Sequence, residues 1–464
     1  MEAWLIPVSL FTKKYLSIST LAILPLLVYL AMFAYLLLTK RDSLHQIKVS
    51  KGMFAFVLVF LAVQTIIIFF TFNRVKNDPS SPNLFSGVFF GVYLLMFNFI
   101  IIAMLTKTLI TGYSKISSFY RSVYWTIILY GLVVLLPQLM VVTIHFGAQW
   151  VNFLASLFEE QHPGRIDFYY NGSYATTLGR INGFSSEASF LAAQVGIIFL
   201  PVLLSSIKNR VNITGFNNKY YKFINWGLLI FLWVILLFAK TSTGILVIVL
   251  SVLMLFFTAS ISEKIVYFVL GIFASLILVI GYLKIGPLKE IIDNYLLHKS
   301  GVSNRLGGTI GLIITFFHHP FFGVGTGYES YYLMKFVPAG TTDNWEFLNV
   351  FTKSGYPVQS VIPDLFARYG LIIMLPVTFY IGMKIQSALK LKKYINVTNV
   401  HDEYSDLGKV TIDAFLIFIV MYLIIGLFSF GWYNSCYFVM FFFYIVSLNL
   451  VKNNYLNQSY KGVK

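Results

Sequence analysis

Charge is what this sequence has least of. Asp, Glu, Lys and Arg make up 11% of its 464 residues, where a soluble domain carries about 25%. Cysteine is nearly absent: Cys436 stands alone in the last apolar run, which excludes an internal disulfide framework and leaves a small packed hydrophobe. No small-residue cleavage site follows Lys13, Lys14 and the first apolar run, so no cleavable signal is expected. The alternating segments of about ten residues that mark an outer-membrane barrel are missing. With no Cys/His cluster and no HExxH, neither a metal nor another cofactor is expected. There is no convincing internal repeat and no low-complexity segment.

What is present is apolar. The chain is 58% hydrophobic, with a mean hydropathy of +0.77. Runs of about 20 apolar residues recur throughout, each enough to cross a hydrocarbon core of ~30 Å. The pattern predicts an all-α polytopic integral membrane protein with eleven spans, or twelve if residues 1–19 form a partly inserted helix rather than an interfacial one. The spans fall at 20–39, 52–72, 84–106, 122–146, 187–206, 224–239, 242–259, 264–283, 365–388, 411–430 and 433–451.

Net charge is +16, but its distribution argues for topology rather than nucleic acid. The alternate connections 40–51, 107–121, 207–223, 260–264, 384–410 and the tail from 452 hold 20 of the 34 Lys and Arg. By the positive-inside rule these short basic loops and the C-terminus face the cytoplasm. Two long extracytoplasmic loops, 147–186 and 284–364, then separate three membrane portions, 1–146, 187–283 and 365–464. In the first loop, residues 148–162 read as an interfacial helix anchored by Trp150. In the second, "GPLKEIIDNYLLHKS" (286–300) reads as an amphipathic surface helix, "TIGLIITFF" (309–317) is too short to span, and Gly323, Gly325 and Gly327 imply a tight irregular turn.

Polar chemistry concentrates in these loops. Arg180, in "GRINGFSSEASF", and Arg305 each precede an apolar helix on the outer side. A lone arginine there is first a snorkelling anchor. Its planar fork also binds phosphate oxygens bidentately, and two such residues beside a membrane suit a lipid pyrophosphate. Glu187 fits two readings: a helix N-terminal carboxylate beside a Ser185 or Ser186 cap, or a general base. His318 and His319 are further candidate bases, or plain loop residues before Pro320. "AKTSTG" (239–244) puts Lys240 and Ser242 in an outer turn able to hydrogen-bond phosphate.

These stretches together resemble a family. "GRINGFSSEASFLA", "FAKTSTGILVIVLSVL", "NRLGGTIGLIITFFHHPFFGVGTGYESY" and "LFARYGLIIMLP", in that order over about 180–380, look like the signatures of the Wzy-type O-antigen and exopolysaccharide (capsule) polymerases. That superfamily also contains the O-antigen ligases. The resemblance implies a GT-C-like, metal-independent glycosyltransferase at the outer face of the bacterial cytoplasmic membrane. It would move a growing glycan from undecaprenyl pyrophosphate onto a lipid-linked repeat unit, alongside a chain-length regulator and a flippase. Arg180 and Arg305 match the family's pyrophosphate-binding arginines, and His319–Pro320 with Gly323 and Gly325 match its turn. The sequence departs where ligases carry a late histidine: "PVQSVIPDLFARYGL" offers Gln359 and Ser360, which moves the catalytic base to Glu187, His319 or Asp364. It departs again at Ser242–Thr243, where Ser-Arg is usual. Within the superfamily the rival is a ligase; outside it, a flippase or transporter, whose polar residues would sit near the midplane in repeated halves.

Overall fold

A backbone in hydrocarbon must satisfy its hydrogen bonds internally, and the helix does this within one segment. The computed structural model describes residues 1–14, 22–39, 51–78, 80–81, 85–162, 165–265, 283–284, 302–398 and 403–461. The expected helix 286–300 and nearly all of the expected span 264–283 lie outside them.

Among the described residues every regular element is helical. The principal helices are α1 (Leu5–Ser9), α2 (Ile23–Thr39), α3 (Lys51–Val75), α4 (Phe85–Leu109), α5 (Tyr113–Ile144), α6 (Ala148–Phe158) and α7 (Ala188–Asn209). They continue as α8 (Tyr221–Phe238), α9 (Ser242–Thr258), α10 (Val302–His318), α11 (Glu329–Phe336), α12 (Val361–Thr398), α13 (Glu403–Ile425) and α14 (Ser435–Lys461). Eight of these, α3, α4, α5, α7, α8, α12, α13 and α14, are long and apolar enough to cross a membrane; α2 and α9 are shorter apolar helices. Ten of the eleven expected spans overlap one of these helices, all but 264–283.

Burial orders the bundle. The span window of α7 is 89% buried, against 22% for α3, so α7 is the central post and α3 a peripheral helix. Ala188, Ala192, Ala193 and Gly196 make α7 narrow, which lets neighbours approach closely. A Cβ on Gly196 would lie 2.7 Å from Ile425 Cδ1 of α13.

The first fourteen residues pack against the bundle, with Ala3 and Trp4 exposed. Glu2 pairs with Lys115 at the start of α5 (2.8 Å), Leu5 and Ile6 are fully buried, and Thr12 Oγ1 donates to Phe184 O (2.7 Å). Lys14 then meets Glu160 (2.9 Å). Of residues 1–19, the described 1–14 hold one short α-helix, α1, packed against the bundle.

A second departure from regular helix lies in α12. Gly370 (φ +62°, ψ −177°) interrupts it. The Gly-rich turn fills the break: Val324 and Gly325 amides donate to Ala367 O and Arg368 O (2.9 and 3.0 Å). In return the Leu371 and Ile372 amides donate to Pro320 O and Phe321 O (2.8 and 3.0 Å). Backbone groups freed by the break are thus satisfied within protein. Glycine is required here: a Cβ on Gly370 would sit 2.4 Å from Phe321 O.

Candidate functional site

The second half of α5 carries two polar side chains that shape the loop before α7. Gln138 Oε1 accepts from the Asn182 and Gly183 amides (3.2 and 2.8 Å), and its Nε2 donates to Gly183 O (2.9 Å). The Tyr130 hydroxyl oxygen accepts from the Phe184 amide (2.9 Å). From the other side, buried Glu159 accepts from Asn182 Nδ2 (2.6 Å) and the Tyr174 amide (3.1 Å) on one oxygen. Loop 179–187 is therefore a built part of the bundle.

Gly183 is where this construction is tightest. It has φ +62°, and a Cβ would fall 2.1 Å from the Tyr130 hydroxyl. Gly179 has φ +61° with open space around it. Gly179→Ala should cost only the left-handed penalty of about 1–2 kcal/mol. Gly183→Ala should cost that and the clash, giving a clearly larger fall in thermal midpoint of the detergent-purified chain; equal falls would contradict the packing.

Burial also raises the Glu159 carboxyl, from 4.5 to about 7, against the opposing bonds from Asn182 and Tyr174. A carboxyl raised on folding stabilises fully below its unfolded value and loses that contribution as pH climbs through its folded value. Stability should thus fall between pH 4.5 and above 7, by roughly 3 kcal/mol from this group. Glu159→Gln keeps the acceptor oxygen and should flatten that stretch of a melting-temperature-versus-pH curve; an unchanged slope would place its origin elsewhere.

On this loop, Arg180 Nε donates to Ala239 O (3.2 Å), and the Ile181 amide donates to Phe238 O (3.3 Å). Arg180 thereby lies against the α8–α9 turn that carries Lys240, itself in the left-handed region at φ +50°. A non-glycine residue held there costs on the order of 1 kcal/mol. Thr241 caps α9 by accepting from the Gly244 amide (2.8 Å), and half-buried Ser242 opens the helix.

The large loop closes over the other side. Asn304 exchanges hydrogen bonds with Asn344 (3.0 and 2.7 Å) and donates to Glu346 (3.0 Å). Arg165 of the first loop meets Glu346 (3.5 Å), so the two loops touch. Arg305, in the first turn of α10, is held where it feels Glu187, Arg180 and Glu346. Glu187 itself is the N-cap of α7 (φ −144°, ψ 155°); its side chain accepts from Ser189 Oγ (3.3 Å) and lies 3.9 Å from His162 Nε2. This corrects the expected cap: the Ser185 amide is engaged in a turn with Asn182 O, and Ser186 O accepts from Tyr169, so helix starts one residue later.

The electrostatics here are those of cations crowded together and partly buried. Burial pushes the Lys240 ammonium below its ordinary value, and Arg180 adds to the depression. Burial lowers Arg305 as well, with Arg180 adding and Glu187 and Glu346 opposing. Among the described residues, neither Lys240 nor Arg305 has an acidic partner within 4 Å.

Arg180, Lys240, Arg305 and Glu187 are thus brought together, with Ser242 beside Lys240. His319 and Asp364 belong to other groups. His319 packs on Tyr332 (5.0 Å between rings), and burial, then Arg74, His318 and Lys335, lower its pKa. Asp364 is fully buried and paired with Arg368 (2.6 Å), which also meets Glu329 (3.1 Å). His162, Glu346, Glu159 and Gln138 are site-shaping residues that the sequence did not single out. Gln138, a lone amide in a span, was the available signal. No family model matches the chain, and no curated protein matches it.

Proposed function

We propose that the chain is a polysaccharide polymerase of the Wzy type, acting at the outer face of the bacterial cytoplasmic membrane. The observation that carries this reading is the half-buried group of Arg180, Lys240 and Arg305, with Glu187 and Glu346 the carboxylates that bear on Arg305. In this reading the three cations hold the diphosphate of a glycan donor linked to undecaprenyl pyrophosphate. The acceptor hydroxyl of a lipid-linked repeat unit gives its proton to Glu187 as its oxygen attacks the anomeric carbon. The bond from that carbon to the diphosphate breaks, and undecaprenyl pyrophosphate leaves with the electron pair. One in-line displacement inverts the anomeric centre. The protein's part is to position both partners and neutralise the leaving charge. In the orientation that follows, the Lys115 end and Met1 face the cytoplasm and Glu187 faces outward.

The test is reconstitution. Purified protein given only undecaprenyl-pyrophosphate-linked repeat units, with a chelator present, should build a ladder of longer lipid-linked glycans. A requirement for a second, different acceptor would replace this reading with the ligase.

One observation favours a second reading, a glycan flippase or transporter. The broken helix α12 and its Asp364–Arg368–Glu329 group resemble the interrupted, charged helices that transporters place inside a bundle. Movement of glycan across a vesicle membrane with its length unchanged would select that reading.

A further inference from the structure

The end of the bundle opposite Glu187 holds a cavity that the glycan reading leaves unused. Helix α7 runs 22 residues from Ala188 to Asn209, about 33 Å at 1.5 Å per residue, and the cavity opens at its far end. Its volume is about 420 Å³, within the roughly 300–1,000 Å³ of small-ligand sites. It lies between the last turn of α7, the first turns of α8 and the end of α9.

Three cations line it, Lys208, Arg210 and Lys222, against one acid, Glu263. Glu263 is engaged by Arg210 (2.6 Å) and by Ser260. Lys208 shares Asp413 with Lys392, each ammonium 2.8 Å from the same oxygen, so one carboxylate faces two charges. Lys222 has no acidic partner within 4 Å among the described residues. Arg210 stands in the left-handed region (φ +56°), where glycine or asparagine would end a helix more easily.

The floor of the cavity is Asn225, which is 1% exposed. Its Nδ2 donates to Ser206 Oγ (2.9 Å), and Ser206 Oγ in turn donates to Val211 O (2.7 Å), which fixes the amide's orientation. Asn225 Oδ1 is left without a donor. An unpaired buried acceptor is a rare exception in a folded protein, and this one belongs to a residue that lines the cavity. Tyr221 and Trp226 complete the wall, the aromatic types that favour the headgroup level of a membrane.

We propose that this cavity binds a phosphate ester that carries a free hydroxyl, the chemistry of a phosphoglycerol headgroup. Lys208, Arg210 and Lys222 face the phosphate, and Asn225 Oδ1 accepts from the hydroxyl. The surplus of cations selects a hydroxyl over an ammonium as that donor.

Native mass spectrometry of the full chain, loaded with equal amounts of phosphatidylglycerol and phosphatidylcholine of matched acyl chains, tests this. Phosphatidylglycerol should be retained preferentially. Lys222→Gln and Arg210→Gln should each lower that preference about fivefold, the effect of one surface cation on an anionic lipid. Lys222 is exposed, so its variant folds. Lys219→Gln, an exposed lysine outside the cavity, should change nothing. Displacement of the lipid by millimolar glycerol 3-phosphate would support the same site with a soluble ester as its occupant. Equal retention of both lipids, or a preference untouched by both cavity variants, overturns the proposal.

Discussion

Glu187→Gln should slow ladder growth by about 10²–10⁴-fold, the usual contribution of a general base. Glutamine keeps the length of the side chain and the acceptor for Ser189, so what it removes is the basic carboxylate. The structural role of Glu187 is small by comparison. It is the N-cap of α7, but its side chain makes no cap hydrogen bond. Loss of its charge near a helix N-terminus is worth about 0.3–1 kcal/mol. Melting temperature should therefore barely move while the rate collapses. His162→Ala removes only a neighbour 3.9 Å away and should cost far less than Glu187→Gln. Asp364→Asn serves as the contrast. It weakens the shorter of the two carboxylate contacts of buried Arg368 and leaves Glu329 as its one acidic partner in this group, so its loss should appear first in stability. Near-normal ladders from Glu187→Gln would remove it as the base while leaving the transfer reaction open.

What was legible in the sequence follows from which interactions are local. A membrane span is announced by twenty apolar residues in a row, so positions such as 187–206 and 224–239 coincide with α7 and α8 within a few residues. The cations of the site were legible for the same reason, since Arg180, Lys240 and Arg305 interrupt the edges of apolar runs. The break in α12 was not: Gly370 lies within an apolar stretch, and hydropathy is blind to a φ of +62°. Nor was the path of the N-terminus. Lys13 and Lys14 read in the sequence only as charges at the first apolar run, yet Lys14 is held by Glu160, and burial is outweighed by Tyr433 and Glu160 in raising its pKa. A positive-inside count cannot distinguish a paired lysine from a free one. His162 became a neighbour of Glu187 only through the folding of a loop 25 residues long, and no spacing rule carries that information.

Arg180→Lys and Arg305→Lys should each cost about 10²–10³-fold in ladder growth, the scale seen when one preorganised donor to a developing anion is lost. Lysine keeps the charge but offers a point donor in place of a planar fork, so a bidentate diphosphate contact does not survive the change. Arg305 gives the sharper experiment because its surroundings are unfavourable to it. Burial and Arg180 lower its pKa, and no acid stands within 4 Å among the described residues. An arginine kept for the fold would destabilise the protein when removed. One kept for a ligand should be removable at little cost or with a gain in stability, while activity is lost. Arg305→Ala is therefore expected to melt at or above the wild-type temperature and to make no ladder. Inorganic pyrophosphate supplies the binding readout. Ligand that binds only the folded state raises its stability by RT ln(1 + [L]/Kd), so millimolar pyrophosphate should raise the wild-type melting temperature. The same addition should do little for Arg305→Ala, and an intermediate amount for Lys240→Gln, whose cation is one of three. A fall in melting temperature for Arg305→Ala with full pyrophosphate stabilisation would return Arg305 to the fold and take the diphosphate site with it.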